Sequence, residues 1–237
     1  MKAMTQREVP EIMTDLRQDL IHVPTVIRQC TGIRIFGKRI KSIVYSTDIA
    51  IIRNIDADAV IAVYPFTPHP TITKSITEAA DIPVFSGVGG GTTQGKRSVQ
   101  MSSFAESQGA IGVVVNSPTQ PETIADIFDT VDIPIVATVT SIYSQIDEKI
   151  AAGAKKILNV SAGKETAKVV RAIREIYPKI PIIATGGPTE ESIAETIEAG
   201  ANAITYTPPS NGELFSKKMT KYREKERVMA DDEPLNH

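Results

Sequence analysis

The chain has 237 residues, of which 41% are hydrophobic and 23% are charged, and its formal net charge is −2. This length and composition suit one globular α/β domain, and the balanced charge gives no electrostatic case for a nucleic-acid partner. The sequence has no membrane-length apolar run, no signal-peptide pattern and only one cysteine, Cys30, so we expect a cytoplasmic protein without membrane contact, disulfide or cysteine-rich metal site.

The first third of the chain predicts a helix, a hairpin and two strands. Residues 10–30 favour an additional N-terminal helix that closes the bottom of a barrel. The segment "IRIFGKRIKS" is typical of a small hairpin that leads into the first strand, "RIKSIVYST" (39–47). The second strand is "DADAVIAVYPF" (56–66), and both strands are short and rich in β-branched residues, as strands buried on two faces are.

Six further apolar runs follow in two alternating sets. One set begins with an Ile-Pro pair ("DIPVFSGV", "DIPIVATV" and "KIPIIATGG"), and the other follows a Gly-Ala pair ("QGAIGVVVN", "AGAKKILNV" and "AGANAITYT"). Members of one set are roughly 45 to 50 residues apart, which is the length of two strand–helix units. The glycine of each Gly-Ala pair is typical of a helix C-cap.

Amphipathic stretches such as "PETIADIFDTV" and "KETAKVVRAIREIY" separate these runs. Eight strands, each followed by a helix, predict a single α/β domain over residues 1–237, a (β/α)₈ TIM barrel. An open doubly wound sheet is the competing interpretation. The charged tail, residues 223–237, is predicted to fray.

In such a barrel the chemistry lies where the strands end, which selects two candidates for proton transfer. Asp48 follows the first strand and suits a general base or a magnesium ligand, although an aspartate there also suits a helix N-cap. His69 follows the second strand and has a side chain that titrates near neutral pH. The alternative for His69 is a solvated loop residue.

Substrate contacts are predicted at the ends of five other strands. Asn116 and Asn159 end strands and can bond a substrate or each other, because buried amides need partners. Lys96 and Arg97 can neutralise an anionic substrate, or they can belong to a mobile loop.

The segment Gly90–Lys96 matches the phosphate-binding P-loop pattern up to its last position, where Arg97 replaces the magnesium-binding Ser or Thr. A P-loop belongs to an open sheet, so within a barrel the segment predicts a flexible glycine-rich lid rather than a nucleotide site.

The closing segment, "IPIIATGGPTEESIAETIEAGANAITYTPPS", resembles that of phosphate-binding barrels, and is most similar to the 2-keto-3-deoxy-6-phosphogluconate aldolase and thiamine phosphate synthase group. The resemblance implies that backbone N–H groups of the turn at Thr185, Gly186 and Gly187, and of the loop after the last strand, hold a phosphate. The match covers roughly the last 100 residues.

This chain departs from that group at two places. Asn159 stands where the aldolases have the lysine that forms a Schiff base, and an amide cannot form an imine. Pro208 and Pro209 lack N–H donors in the phosphate loop, so the loop either binds a different group or takes its donors from Ser210, Asn211 and Gly212.

The sequence therefore predicts an enzyme that acts on a small anionic, phosphorylated metabolite by a lyase, isomerase, synthase or hydrolase step. Magnesium held by Asp48 and a substrate phosphate is the one cofactor it suggests. Association through the outer helices, as in many barrels, makes a homo-oligomer the expected assembly. The alternative is a barrel without activity that senses a ligand or binds a partner.

Overall fold

The computed structural model describes residues 10–153 and 157–232. Eight parallel strands pair in chain order, and the last strand pairs with the first, so the predicted closed barrel is confirmed and the open sheet is excluded. A two-stranded antiparallel hairpin precedes the barrel: β1 (Ile33–Ile35) and β2 (Lys38–Ile40). The barrel strands are β3 (Ser42–Tyr45), β4 (Ala59–Ala62), β5 (Val84–Gly89), β6 (Gly112–Val115), β7 (Ile135–Val139), β8 (Ile157–Val160), β9 (Ile182–Thr185) and β10 (Ala203–Tyr206).

A helix follows each barrel strand, as the amphipathic stretches predict. The helices are α1 (Ile49–Ile52), α2 (Pro70–Ala79), α3 (Lys96–Ser107), α4 (Pro121–Phe128), α5 (Ile146–Ala151), α6 (Thr166–Ile176), α7 (Glu190–Glu198) and α8 (Asn211–Asp232). Gly109 and Gly200, which precede two of the Gly-Ala strands, have φ angles of 87° and 112°. Their left-handed backbone ends the preceding helix and turns the chain into the strand.

The N-terminal segment differs from the predicted helix at residues 10–30. It forms two short 3₁₀ helices, Asp15–Arg17 and Thr25–Gln29, and between them Ile21 pairs with Ile55 as a β-bridge. Pro24 lies within this segment and cannot donate the backbone hydrogen bond that a continuous helix needs.

The hairpin, not the N-terminal segment, closes the bottom of the barrel. Ile33, Ile35 and Ile40 are buried in one cluster with residues of the barrel interior, whereas Val23 and Ile27 pack in the outer core between the strands and the helices. The predicted hairpin is therefore confirmed, and it takes the role expected of the helix.

The structure gives helical backbone to most of the tail that the sequence predicts to fray, and the fraying of residues 223–237 stays a prediction. Helix α8 continues to Asp232, and residues 233–237 lie outside the described residues. No glycine or proline occurs between Glu213 and Asp232, and the segment is rich in strong helix formers.

Side chains inside the barrel are stacked in levels of four. Each level contains one residue from every second strand. On each of these strands the residue lies two positions beyond the one that strand pairing would align with the previous member of the level. The two lower levels are apolar and belong to the buried interior: Ala59, Gly112, Ile157 and Ala203, then Ile43, Phe85, Val136 and Ile183. Gly112 leaves the space that the Phe85 ring fills, since a Cβ at Gly112 would lie 2.9 Å from Phe85 Cδ1.

Candidate functional site

A cavity of about 220 Å³ opens at the carboxyl ends of the strands, directly above the apolar levels. We call it the central cavity. Three upper levels of the barrel interior form its wall. From bottom to top they are Ile61, Val114, Asn159 and Thr205; then Tyr45, Gly87, Thr138 and Thr185; then Val63, Asn116, Ser161 and Thr207. All of these residues except Gly87 line the cavity. The barrel interior thus changes from apolar to polar between its second and third levels.

The floor of the central cavity has an apolar and a polar half. Ile61 and Val114 form one half, and Asn159 and Thr205 form the other. Asn159 Nδ2 donates to Thr138 Oγ1 at 3.2 Å, but Asn159 Oδ1 and Thr205 Oγ1 are enclosed and have no hydrogen-bond partner. Buried polar atoms normally have one, so these two atoms point to a missing ligand group or water.

The middle level has three side chains, because its fourth member is Gly87, and the Val63 side chain packs against that glycine: a Cβ there would lie 3.1 Å from Val63 Cγ2. Thr185 Oγ1 of this level donates to Ser161 Oγ of the level above at 3.3 Å. Hydroxyl groups can donate or accept, so this wall can adapt its hydrogen bonds to a ligand.

Within residues 10–153 and 157–232, no charged side chain lines the central cavity. Tyr45 is the one ionisable residue among these that lines it, and 41% of the Tyr45 surface is exposed. Asn116 and Asn159, both predicted from the sequence, line the cavity, and so does Thr185.

A buried positive charge lies behind this wall. Lys149 of α5 is 2% exposed, and its Nζ donates to the carbonyl oxygens of Ser117 at 2.6 Å and Thr138 at 3.4 Å. Burial lowers the pKa of the Lys149 ammonium. None of the ion pairs among the described residues includes Lys149. Its charge is therefore balanced only by carbonyl dipoles, one of them from a residue of the cavity wall.

The glycine-rich loop after β5 is held in place rather than free. Gly90 and Thr93 exchange backbone hydrogen bonds, and Gln94 bonds Gly91, Pro118 and Gln120 across to the start of α4. A Cβ at Gly90 would lie 2.3 Å from Asn116 Cβ, so the loop packs directly on the cavity wall.

Lys96 and Arg97 begin helix α3 after this loop. Both are exposed, and neither lines the central cavity. Their predicted contact with an anion remains a prediction that requires a ligand reaching beyond the cavity.

Asp48 and His69 both cap helices. Asp48 Oδ1 accepts from the backbone N–H groups of Ala50 at 2.8 Å and Ile51 at 3.4 Å. His69 Nδ1 accepts from the backbone N–H of Thr71 at 3.2 Å. Neither side chain lines the central cavity. Their predicted proton-transfer roles remain predictions, and each would require its loop to move toward a bound ligand.

A second cavity, of about 590 Å³, lies beside β9 and β10 where the resemblance places a phosphate. We call it the lateral cavity. Its wall includes Gly187, Glu190, Glu213 and Lys217. Ser210 does not offer free donors here, because its N–H and its hydroxyl both bond Glu213 Oε2, at 2.8 and 2.7 Å. These hydrogen bonds lower the pKa of the Glu213 carboxyl, so a phosphate would have to displace a charged carboxylate.

The two glycines of the turn after β9 have packing reasons to be glycine. A Cβ at Gly186 would lie 2.7 Å from Ile193 Cγ1 and 2.8 Å from Ile204 Cγ2. Gly187 has a φ of 88°, and a Cβ there would lie 2.6 Å from Ser192 Oγ. Thr189 and Ser192 cap the start of α7 reciprocally, so that helix end already has internal partners.

No carboxylate of the described residues lines the central cavity, so magnesium has no charged ligand there. No group of three His, Cys, Asp or Glu residues suited to a metal occurs in the described part of the chain. Mg²⁺ prefers carboxylate and phosphate oxygens, and the neutral hydroxyls and amides of this cavity do not fit it.

Sequence reasoning placed Thr138, Ser161 and Thr207 at strand ends without giving them a role, and it missed Tyr45 and Thr205 as members of the site. Strand alternation could have found them, because inward-facing positions repeat every two residues and Asn159 fixes Ser161 as the next one. No sequence signal separates Lys149 from the other lysines on outer helices.

No protein-family model and no curated protein sequence matches this chain. Comparison of structures does find similar barrels. A protein of Burkholderia cenocepacia J2315, provisionally assigned as a phosphonomutase, is 17% identical with a TM-score of 0.59, over 78% of this chain and 93% of that one.

Two further barrels are similar. The phosphoenolpyruvate phosphomutase of Streptomyces platensis subsp. rosaceus is 15% identical with a TM-score of 0.57, over 87% of this chain and 85% of that one. A phosphonopyruvate hydrolase in complex with oxalate and Mg²⁺ is 13% identical with a TM-score of 0.55, over 83% and 84% of the two chains. At these identities the similarity shows the barrel fold, and it supports that broad class rather than the narrower aldolase and thiamine phosphate synthase group.

Among the described residues, no helix has the length and apolar character needed to cross a membrane.

Proposed function

We propose that this barrel is an enzyme that binds a small anionic, phosphorylated metabolite in its central cavity. The observation that carries the proposal is an uncharged, hydrogen-bonding cavity with an ammonium group, Lys149, directly behind its wall and no described carboxylate paired with that ammonium. Such an arrangement attracts an anion, because the ammonium charge is not already neutralised by a paired carboxylate. The phosphonomutase and phosphonopyruvate hydrolase barrels that share the fold act on small phosphorus-containing compounds, which supports the same substrate class.

Tyr45 is the residue we propose for proton transfer. It is the one ionisable group that lines the central cavity, and a tyrosine hydroxyl can donate or accept a proton at a bound ligand. Asp48 and His69 remain secondary candidates, because their capping contacts hold them outside the lining. The chemical step itself, lyase, isomerase, synthase or hydrolase, is left open by these residues.

The proposal is tested by ligand-dependent thermal unfolding, since a ligand of the native state raises the melting temperature. Phosphate, glycerol 3-phosphate and ribose 5-phosphate are compared with glycerol and ribose at millimolar concentration. We expect stabilisation by the phosphorylated compounds only. The Lys149→Met variant should bind them about tenfold more weakly, which corresponds to roughly 1.4 kcal/mol.

Lys168→Met is the matched control, because Lys168 is exposed and pairs with Glu165 on the surface of the protein. It should bind like the natural chain. Equal stabilisation by the uncharged compounds, or none by any phosphorylated one, would contradict the proposal.

A second candidate function is ligand sensing without catalysis. The observation that favours it is the scarcity of ionisable groups in the lining, where only Tyr45 can exchange a proton. Turnover lost in Tyr45→Phe with binding retained would support the enzyme. A protein that binds phosphorylated compounds but converts none of them would support the sensor.

A further inference from the structure

The polar half of the cavity floor indicates which part of the ligand enters deepest. Asn159 and Thr205 belong to the same level of the barrel interior and come from the neighbouring alternate strands β8 and β10. Thr205 is 7% exposed. Thr205 Oγ1 and Asn159 Oδ1 are both buried and have no hydrogen-bond partner. Two unpartnered polar side-chain atoms therefore belong to one level of the barrel interior, at the bottom of the central cavity.

The kind of group that satisfies both residues follows from their hydrogen-bonding capacity. A 180° flip of the Asn159 amide exchanges Oδ1 and Nδ2, so the unpartnered position is an acceptor in one orientation and a donor in the other. Thr205 likewise donates or accepts. A hydroxyl group is both donor and acceptor, so it can bond this pair in every arrangement, whereas a keto oxygen or a phosphate oxygen cannot.

The opposite half of the floor fixes the rest of this group. Ile61 and Val114 complete the level, and they offer only apolar contact. A carbon that carries a hydroxyl has one polar side and one C–H side, and it matches a floor divided in this way. Deep burial of a phosphate there is disfavoured, because no charged side chain lines the cavity and desolvating an unpaired charge is costly.

We infer that the ligand enters with a hydroxyl-bearing carbon first, bonded to Asn159 and Thr205, and keeps its anionic group at the rim. The ligand class is thus a hydroxylated phosphate ester, such as a polyol or sugar phosphate. This inference rests on the proposed function of the same cavity and specifies the substrate class and its orientation.

The first measurement is the effect of the unpartnered Thr205 hydroxyl on the free energy of unfolding. Replacing Thr205 by Val removes an unpartnered buried hydroxyl at nearly constant volume. We expect the ligand-free Thr205→Val protein to be as stable as the natural chain, or more stable, in urea unfolding. A clear loss of stability would mean that Thr205 serves the fold, and it would overturn the inference.

Ligand binding gives the second measurement, by calorimetric titration of phosphorylated probes. Glycerol 3-phosphate, erythrose 4-phosphate and ribose 5-phosphate bear hydroxyls, and n-propyl phosphate and inorganic phosphate do not. We expect at least one hydroxylated probe to bind about tenfold or more tightly than n-propyl phosphate. Thr205→Val and Asn159→Leu should each remove most of that preference and leave the weak binding of n-propyl phosphate unchanged.

Thr140→Val is the matched control, because Thr140 bonds Ser117 outside the cavity lining. It should keep the preference. The inference fails, and the proposed function survives, if phosphorylated probes bind without preference for hydroxyls or if the preference survives both cavity substitutions. If no phosphorylated probe binds, the proposed function and this inference both fail.

Discussion

The central and lateral cavities open at the same end of one barrel and share Thr185, Thr205 and Thr207, but their linings differ in charge. The central cavity has an uncharged lining and an ammonium behind its wall, whereas the lateral cavity is lined by the carboxylates of Glu190 and Glu213 together with Lys217. The backbone offers a similar opening at both places, so the side chains decide which one suits an anion. A turn that resembles a phosphate site is therefore weak evidence until its donors are shown to be free.

The largest effect we expect comes from Tyr45→Phe in the central cavity. Loss of the hydroxyl should lower turnover by about a hundredfold or more and leave ligand affinity nearly unchanged, because general acid–base catalysis contributes on that scale. The measurement is kcat once a converted compound has been found. Tyr206→Phe is the control, because Tyr206 lines the lateral cavity instead. An equal loss in both variants would remove the distinction between the cavities.

A smaller effect is expected in the turn beside the lateral cavity. Gly186→Ala should lower the free energy of unfolding by about 1–3 kcal/mol, because its Cβ would overlap Ile193 and Ile204. Urea unfolding measures this. Gly212→Ala in α8 is the matched control, since a Cβ there meets nothing within 4 Å, and it should be neutral or stabilising. If Gly186→Ala has the same free energy of unfolding as the natural chain, packing against Ile193 and Ile204 does not explain the glycine in this turn.

Lys149 should give the protein a characteristic pH dependence. Burial lowers its pKa in the folded state, so between that pKa and the ordinary lysine value of 10.5 the unfolded chain binds more protons. Stability from this group therefore rises with pH through that window, by at most about 1.4 kcal/mol per pH unit for one proton.

This contribution is measured as the difference between the natural chain and Lys149→Met in urea unfolding at several alkaline pH values. Lys168→Met, at an exposed position, should show no such difference. Anion binding should weaken over the same window as the ammonium loses its charge. Parallel stability curves for the natural chain and Lys149→Met would contradict the assignment.

The smallest effect is expected from Glu213→Gln. The amide oxygen can still accept from Ser210, so the cap of α8 remains, but the negative charge is lost. Affinity for inorganic phosphate at the lateral cavity should rise a few-fold, about twofold to fivefold, because the anion no longer competes with a carboxylate. A crystal structure soaked in phosphate would locate it. Phosphate bound there in the unsubstituted protein would overturn the contrast between the cavities.

The repeated strand and helix pattern predicts the barrel well, because a buried parallel strand is almost continuously apolar and the eight runs are regularly spaced. The N-terminal segment fails because its β-bridge at Ile21 depends on Ile55, a distant residue that local pattern cannot reveal. Asp48 and His69 were selected for following strands, but both start helices and cap them. Lys149 could not be predicted, since only tertiary packing buries its ammonium.

The pairing of β3 with β10 has a consequence for how the chain acquires its structure. Ser42 pairs with Ile204, so the barrel cannot close until the ribosome has synthesised the chain through β10. The β1–β2 hairpin that seals the bottom is made before the first barrel strand. Until β10 arrives, β3 and the last completed strand present open edges that can pair with other chains. A ribosome-bound chain that ends before Ala203 should therefore be prone to aggregation, and closure should follow the synthesis of the other seven barrel strands and depend on contacts that are distant in sequence.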